Sequence, residues 1–295
     1  MKPAPFRYVA AESLGQALSA KAAGGDEARF LAGGQSLVPA MNFRLARPAM
    51  LIDLNPLFEL DYVRAAGQGG LSIGALTRHR TLERSPLVAE HAPLVAEAVR
   101  HVAHPQIRNR GTLGGNLAHA DPASELPAVM LALGARFRVR SARGERWIEA
   151  AGFFRGPLAT ALGPEEMLAE IALPGLPPRS GTCFVEVARR RGDYALLGVA
   201  AVVTLGDDGT CTAAGLALCN AGATPVRATR SAAMLVGRRA GEREIAAAAA
   251  AVAGEIDPPG NVHATAAFRR HLAGVLTRRA LATAAARAGA GARAR

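Results

Sequence analysis

Lysine is nearly missing from this 295-residue chain: Lys2 and Lys21 are the only two. Without a further lysine there is no GK[ST] phosphate loop and no candidate Schiff-base amine in a core strand, which removes most P-loop nucleotide hydrolases and pyridoxal enzymes. Cysteine is almost as scarce. Cys183, Cys211 and Cys219 form no CxxC pair; their spacing suits neither zinc nor an iron–sulfur cluster, and an odd count argues against a disulfide framework. Three packed thiols are expected, and no metal site. Aromatic residues make up 4% of the chain, and none is interleaved with arginine as a base-stacking surface requires. The net charge of +11 therefore does not announce a nucleic-acid partner, the more so because seven arginines and no acid fall between Ala266 and Arg295. The longest apolar run, Ala195 to Leu205, falls short of the roughly 20 residues that span a bilayer. The N-terminal "MKPAPFRYVAAESLG" has no apolar h-region followed by a cleavage pattern, so no membrane span is expected and a cytoplasmic location is.

Half of the residues are hydrophobic, and the length suits two compact domains at about 150 residues each. Ser13 and Gln16 make a capping box, with Leu14, Ala17, Leu18 and Ala22 at helical spacing and Gly24-Gly25 as the stop. "ARFLAGGQSLVPAMNFRLARPAMLIDLN" reads as strand, glycine turn, short helix, strand, which is a parallel βαβ rhythm. Tyr62 to Ala75 alternates over two short strands, and Thr77 to Val102 is helical with breaks near Pro86 and Pro93. Asp121 or Ser124 can cap a helix through "LPAVMLALGA", and "RFRVR" turns Phe137 and Val139 inward. The proline-rich stretch from Pro174 to Gly181 reads as a linker. Beyond it, strand-like runs at Phe184–Arg189, Leu197–Leu205 and Ala213–Asn220 precede helices at Arg230–Val236, Glu242–Gly254 and Ala264–Ala286. Strands followed by helices give an α+β domain. The closing "AAARAGAGARAR" offers little to bury, and residues 285–295 are expected to be a flexible tail.

Two glycine loops, "AGGQSL" from Ala32 to Leu37 and "GTLGGN" from Gly111 to Asn116, stand before helix starts. Glycine lets backbone amides approach a ligand, and a helix N-terminus favours negative charge, so the pair could embrace one extended anionic ligand. Neither loop fits the GxGxxG dinucleotide fingerprint, and Gly34-Gln35-Ser36-Leu37-Val38 lacks the last glycine of a GxSxG elbow. Ser36 is read as a phosphate donor rather than a nucleophile, and Thr112 gives the second loop a hydroxyl of its own. His101 and His104 form an HxxH pair without an acidic third ligand nearby and are assigned structural roles, as are Glu165 and Glu166 after Gly163-Pro164. Trp147 is expected in a core.

"AGGQSLVPAMNFRLARP", "IGALTRH", "HPQIRNRGTLGGNLAHADPASELP" and "RRRGDYALLGVA" together resemble the FAD-binding, or medium, subunit of molybdenum hydroxylases, the family of carbon monoxide dehydrogenase and xanthine dehydrogenase. The resemblance runs from "MKPAPFRY" to about Ala282. It implies an α+β architecture: a two-subdomain FAD-binding domain of the vanillyl-alcohol-oxidase type over residues 1–177, divided near residue 55, and a smaller α+β domain over 178–284 with a three-stranded antiparallel sheet. It implies FAD on this chain, with Ala32, Gly33, Gly34, Gln35, Ser36 and Leu37 as the first loop. Thr112, Gly114, Gly115 and Asn116 form the second loop, with Val102 beside them, Glu125 at the ribityl or ribose hydroxyls, and Asp193 and Tyr194 near the isoalloxazine. His119, often small or polar in the family, and Gln35, where some members carry His, are departures. The partners implied are a small subunit with [2Fe-2S] clusters and a large subunit with the molybdenum cofactor, in a dimer of heterotrimers. The chain then acts as an electron exit, with no catalytic residue of its own. A self-sufficient flavin oxidase or reductase of the same fold is the rival reading, and a scaffold that has lost its flavin a more distant one. On this basis Gly114→Val is expected to purify folded but flavin-poor.

Overall fold

The computed structural model describes residues 1–290. The chain opens with β1 (Arg7–Ala10), α1 (Leu14–Gly24), β2 (Ala28–Leu31), α2 (Leu37–Asn42) and β3 (Met50–Asp53). Both β1 and β2 pair parallel with β3, as the βαβ rhythm requires. Ser13 caps α1 by accepting from the Gln16 amide at 3.2 Å. At the other end, the buried Lys21 ammonium donates to the Gly25 and Ala28 carbonyls at 2.6 and 2.9 Å, so one of the two lysines closes a helix C-terminus.

A second layer follows: β4 (Val63–Ala66), β5 (Gly70–Gly74), then short helices α3 (His79–Arg84), α4 (Pro86–His91), α5 (Pro93–Ala98), α6 (Pro105–Arg108), α7 (Leu113–His119) and α8 (Glu125–Leu133). Proline at the first turn of α4, α5 and α6 sets each break. The strands β6 (Arg136–Ser141), β7 (Gly144–Glu149), β8 (Phe154–Gly156), β9 (Ala159–Thr160) and β10 (Met167–Leu173) complete it, with sheet order β4-β5-β10-β6-β7 and a separate β8-β9 pair. Phe137 and Val139 on β6 are fully buried. Trp147 is not core: it lies on β7, the outer strand of that sheet, 40% exposed, with the Arg136 guanidinium 5.1 Å over its ring. An edge strand with water on its outer face has no core to offer an aromatic there.

The C-terminal part contains β11 (Ser180–Ala188), β12 (Ala195–Leu205), β13 (Cys211–Cys219), β14 (Val226–Arg227), α9 (Thr229–Ala233), α10 (Glu242–Ala251) and α11 (Ala266–Ala290). The three long strands form as expected, and the two-residue β14 adds a fourth to the antiparallel sheet. Residues 285–290 are not a tail. They continue α11, because Ala284 and Ala288 are buried against the sheet and Arg287 reaches Glu97 at 2.9 Å and the Thr182 carbonyl at 2.5 Å. The remainder of the expected tail, residues 291–295, lies outside the described residues.

Helix α8 explains how the two parts are joined. All nine of its residues are buried, as expected for a helix apolar on every side. One side meets the helices and sheet of the second layer, the other the β12–β13 face; a Cβ on Gly215 would stand 2.4 Å from the Ala132 carbonyl oxygen. The opposite face of that sheet carries α11 and α10 over a separate apolar cluster. No helix among the described residues is long and apolar enough to cross a membrane.

Candidate functional site

The first glycine loop is a run of backbone donors. Between β2 and α2 the chain turns through Gly34 at φ +72°, a left-handed conformation that suits glycine. Among the described residues, no backbone or side-chain acceptor meets the amides of Gly33, Gly34, Gln35, Ser36 or Leu37. Ser36 occupies the N-cap position of α2 without making a side-chain cap bond, and the Gln35 side-chain amide folds back to donate to the Gly33 carbonyl at 3.0 Å. Five consecutive uncommitted amides with an adjacent hydroxyl form an anion-binding concavity, and they match the donor requirement of a diphosphate.

The second loop stands directly against the first. A Cβ on Gly33 would approach the Arg110 carbonyl oxygen to 2.4 Å and the Gly111 Cα to 2.7 Å, so this glycine exists to let the two backbones touch. From there the expected roles change. Thr112 is the N-cap of α7, its hydroxyl accepting from the Gly115 amide at 3.1 Å. The Leu113 and Gly114 amides donate to the Thr77 and Ala75 carbonyls, and that of Asn116 to the Thr112 carbonyl. A Cβ on Gly114 would meet Ala75 Cβ at 2.5 Å and Ala75 O at 2.7 Å. Thr112, Gly114 and Gly115 therefore spend their groups on building α7, and the reading of Gly114 as a phosphate-facing glycine is corrected: the space it leaves open is filled by β5's exit. Gly115 still faces the first loop, with Ala32 Cβ 3.6 Å from its added Cβ.

Two residues that sequence reasoning passed over tie the loops together. Asn55 donates to the Ala32 carbonyl at 3.0 Å, and Arg78 donates to the Asn55 side-chain oxygen at 2.5 Å and to the Arg110 carbonyl. Arg78 also pairs through its backbone with Thr112 in an isolated β-bridge. Under Gly111 lies the buried His79, whose imidazole is held down to about 4, chiefly by burial, with the Arg108 and Arg78 charges adding to it and a backbone contact at Thr112 working the other way. The ring is neutral at pH 7.

Helix α7 carries the site toward the C-terminal domain. The Asn116 side-chain amide donates to the Ser124 hydroxyl at 2.8 Å, and Ser124 is the N-cap position of α8; Asp121 instead closes a turn through the Ala123 amide at 2.9 Å. Glu125, the first residue of α8, is 5% exposed, and its carboxyl is pushed up to about 8 by burial, with Glu186 and Asp121 adding to the effect and its own backbone amide opposing it. A carboxyl in that state holds a proton at neutral pH and can donate a hydrogen bond. Asp193 and Tyr194 lie on the β11–β12 loop, where Gly192 at φ +88° packs on His104. Tyr194 is exposed and stands within electrostatic reach of Asp121 and Glu125. His101 pairs with the buried Glu186 at 3.1 Å, so the HxxH histidines contact two different partners. Val102 is buried in the core, its carbonyl accepting from Arg108 at 3.1 Å. Glu165 and Glu166 bind Arg143 and Arg146 on the surface, and the three cysteines are buried free thiols.

Comparison with known proteins meets this geometry from the other side. Residues 4–176 match the family model described as the FAD binding domain in molybdopterin dehydrogenase, and residues 182–284 that of the CO dehydrogenase flavoprotein C-terminal domain. The chain is 43% identical over 284 residues to the 6-hydroxypseudooxynicotine dehydrogenase complex subunit alpha of Paenarthrobacter nicotinovorans, covering 96% of each chain. It is 42% identical over 286 residues to the caffeine dehydrogenase subunit beta of a Pseudomonas species, covering 97% of this chain and 96% of that one. It superposes on carbon monoxide dehydrogenase from Hydrogenophaga pseudoflava with a TM-score of 0.94 at 37% identity, over 97% of this chain and 99% of that chain.

Proposed function

Because the chain belongs to the family of FAD-binding medium subunits of molybdenum hydroxylases, we propose that it is the electron exit of a three-subunit oxidoreductase complex. The observation that carries this reading is the run of five acceptor-free amides from Gly33 to Leu37, closed on one side by the second loop. Ala32, Gly33, Gly34, Gln35, Ser36 and Leu37 hold the diphosphate of FAD. Thr112, Gly114 and Gly115 shape the wall beside it, Val102 lies in the core behind, and Asn116 fixes the start of α8. Glu125, carrying a proton, meets ribityl or ribose hydroxyls, and Asp193 and Tyr194 border the ring from the C-terminal domain. The FAD-binding domain takes residues 1–177 and the C-terminal domain 178–284, a division supported by the two family matches.

FAD supplies the conversion between one-electron and two-electron transfer. This chain's residues bind it and orient it, and the apolar body of α8 keeps water from the rear of the site. Substrate oxidation belongs to the molybdenum-cofactor subunit, and [2Fe-2S] clusters of a small subunit deliver the electrons. The assembly is a dimer of heterotrimers in the cytoplasm, and the acceptor is NAD⁺, a quinone or oxygen. The test is to tag the chain in its host, purify it gently and assay co-purifying subunits, FAD, iron and molybdenum. Stoichiometric FAD with both metals on partner chains is the expected result. A lone flavin-bearing chain that turns over a substrate without either metal would replace this reading with a self-sufficient flavoenzyme.

A further inference from the structure

Arg78 stands where everything that fixes the first loop converges. Through Asn55 it reaches the Ala32 carbonyl, and through the Arg110 carbonyl it reaches the backbone on which Gly33 is seated. Ala32, just before the five-amide run, and Gly33, its first member, are therefore held from one guanidinium. Arg78 is half-buried, and among the described residues no carboxylate oxygen lies within ion-pair distance of it. Its direct hydrogen-bond partners are neutral acceptors, with Asp61 and Asp53 acting on it only from a distance, so positive charge remains beside the loop. Lysine cannot replicate this arrangement, because its ammonium is a point charge and two acceptors on different segments call for the planar fork of arginine.

We propose that Arg78, acting with Asn55, is a positioning residue for the diphosphate of FAD: it holds the two glycine loops in register and places positive charge behind the amide run. This rests on the assignment of Gly33 to Leu37 as the diphosphate loop. The test uses the assembled complex, stripped of flavin and reconstituted, and compares three variants: Arg78→Met, Arg78→Lys and Asn55→Ala. FAD dissociation is followed by the recovery of flavin fluorescence, and ADP and riboflavin are each used to compete with FAD rebinding. Loss of one or two charge-assisted hydrogen bonds leads us to expect FAD release roughly ten- to a hundredfold faster in Arg78→Met. Arg78→Lys should recover that loss only in part. Competition by ADP should weaken in parallel, with competition by riboflavin unchanged, since only ADP carries a diphosphate. A general loosening of the fold would weaken both competitors alike and would overturn the proposal, as would an Arg78→Met complex that keeps wild-type release. Should that variant fail to assemble, Asn55→Ala, which removes the link from Arg78 to Ala32 and leaves the bond from Arg78 to the Arg110 carbonyl, decides between the same two outcomes. Gly34→Val separates the layers of the argument. If it too holds FAD normally, the loop assignment itself falls; if it releases FAD while the Arg78 and Asn55 variants do not, only the positioning role falls.

Discussion

Replacing Glu125 by glutamine should make the protein more stable at neutral pH, and the size of the gain can be worked from its surroundings. The carboxyl is buried at the head of α8 and titrates at about 8, against an ordinary value of 4.5. Between those values the folded chain holds a proton that the unfolded chain has lost, so wild-type stability falls as pH rises through this window. From pH 5 to pH 7.5 the shift corresponds to about 3 kcal/mol at 1.36 kcal/mol per unit. Glutamine keeps the shape and has no proton to lose, so Glu125→Gln should show no such fall. His79 titrates the other way. With its folded value near 4 and an ordinary value of 6.5, it removes stability as pH drops from 6.5 toward 4, in both wild type and variant, and so cancels in the difference. Urea unfolding of the two flavin-free chains at pH 5 and 7.5 reads that difference directly. If the stability gap between them changes by less than about 0.5 kcal/mol over this range, Glu125 is ionised in the fold and the reasoning fails.

Three further outcomes follow from the geometry. Thr112→Ala removes the N-cap of α7 and should cost about 1 kcal/mol, seen in calorimetry as a fall of roughly 2–4 °C in Tm. Gly114→Val drives a side chain into the backbone at Ala75, so soluble yield and flavin content should drop together; a well-folded, flavin-free protein would instead restore Gly114 to the ligand's side. Arg269→Met leaves the Asn220 side-chain oxygen and the Pro259 carbonyl without their cationic donor in a nearly sealed site, and the urea midpoint should shift by the equivalent of about 2–3 kcal/mol.

Local pattern carried most of the fold. The βαβ unit around Ala32–Leu37 is legible because its apolar period changes from two to three or four and back within one short stretch, and the proline-initiated helices α4 and α5 declare their own starts. The C-terminal strands are long apolar runs that no other element can use. What escaped was non-local. Gly114 and Gly33 look alike in sequence, yet one admits Ala75 and the other Arg110, a distinction made by segments far along the chain. Asn55 and Arg78 gave no signal, since each is a single polar residue whose value lies in an acceptor 23 or 32 positions away. Trp147 was misplaced because alternation identifies a strand and not whether a neighbour covers it. The alanine-rich end of α11 was misjudged in the same way, since small side chains that cannot form a core alone can still pack closely against a sheet.

Helix α8 has a bearing on how the protein is made. One side of it is covered by β12 and β13, which leave the ribosome much later: about 86 residues separate Leu133 from Cys219. At roughly 5–20 residues per second, this leaves an apolar helix half-covered for on the order of ten seconds in every round of synthesis. A nascent chain stalled near the proline-rich stretch at 174–178 would present that face to the cell, and a fragment ending there would carry it permanently.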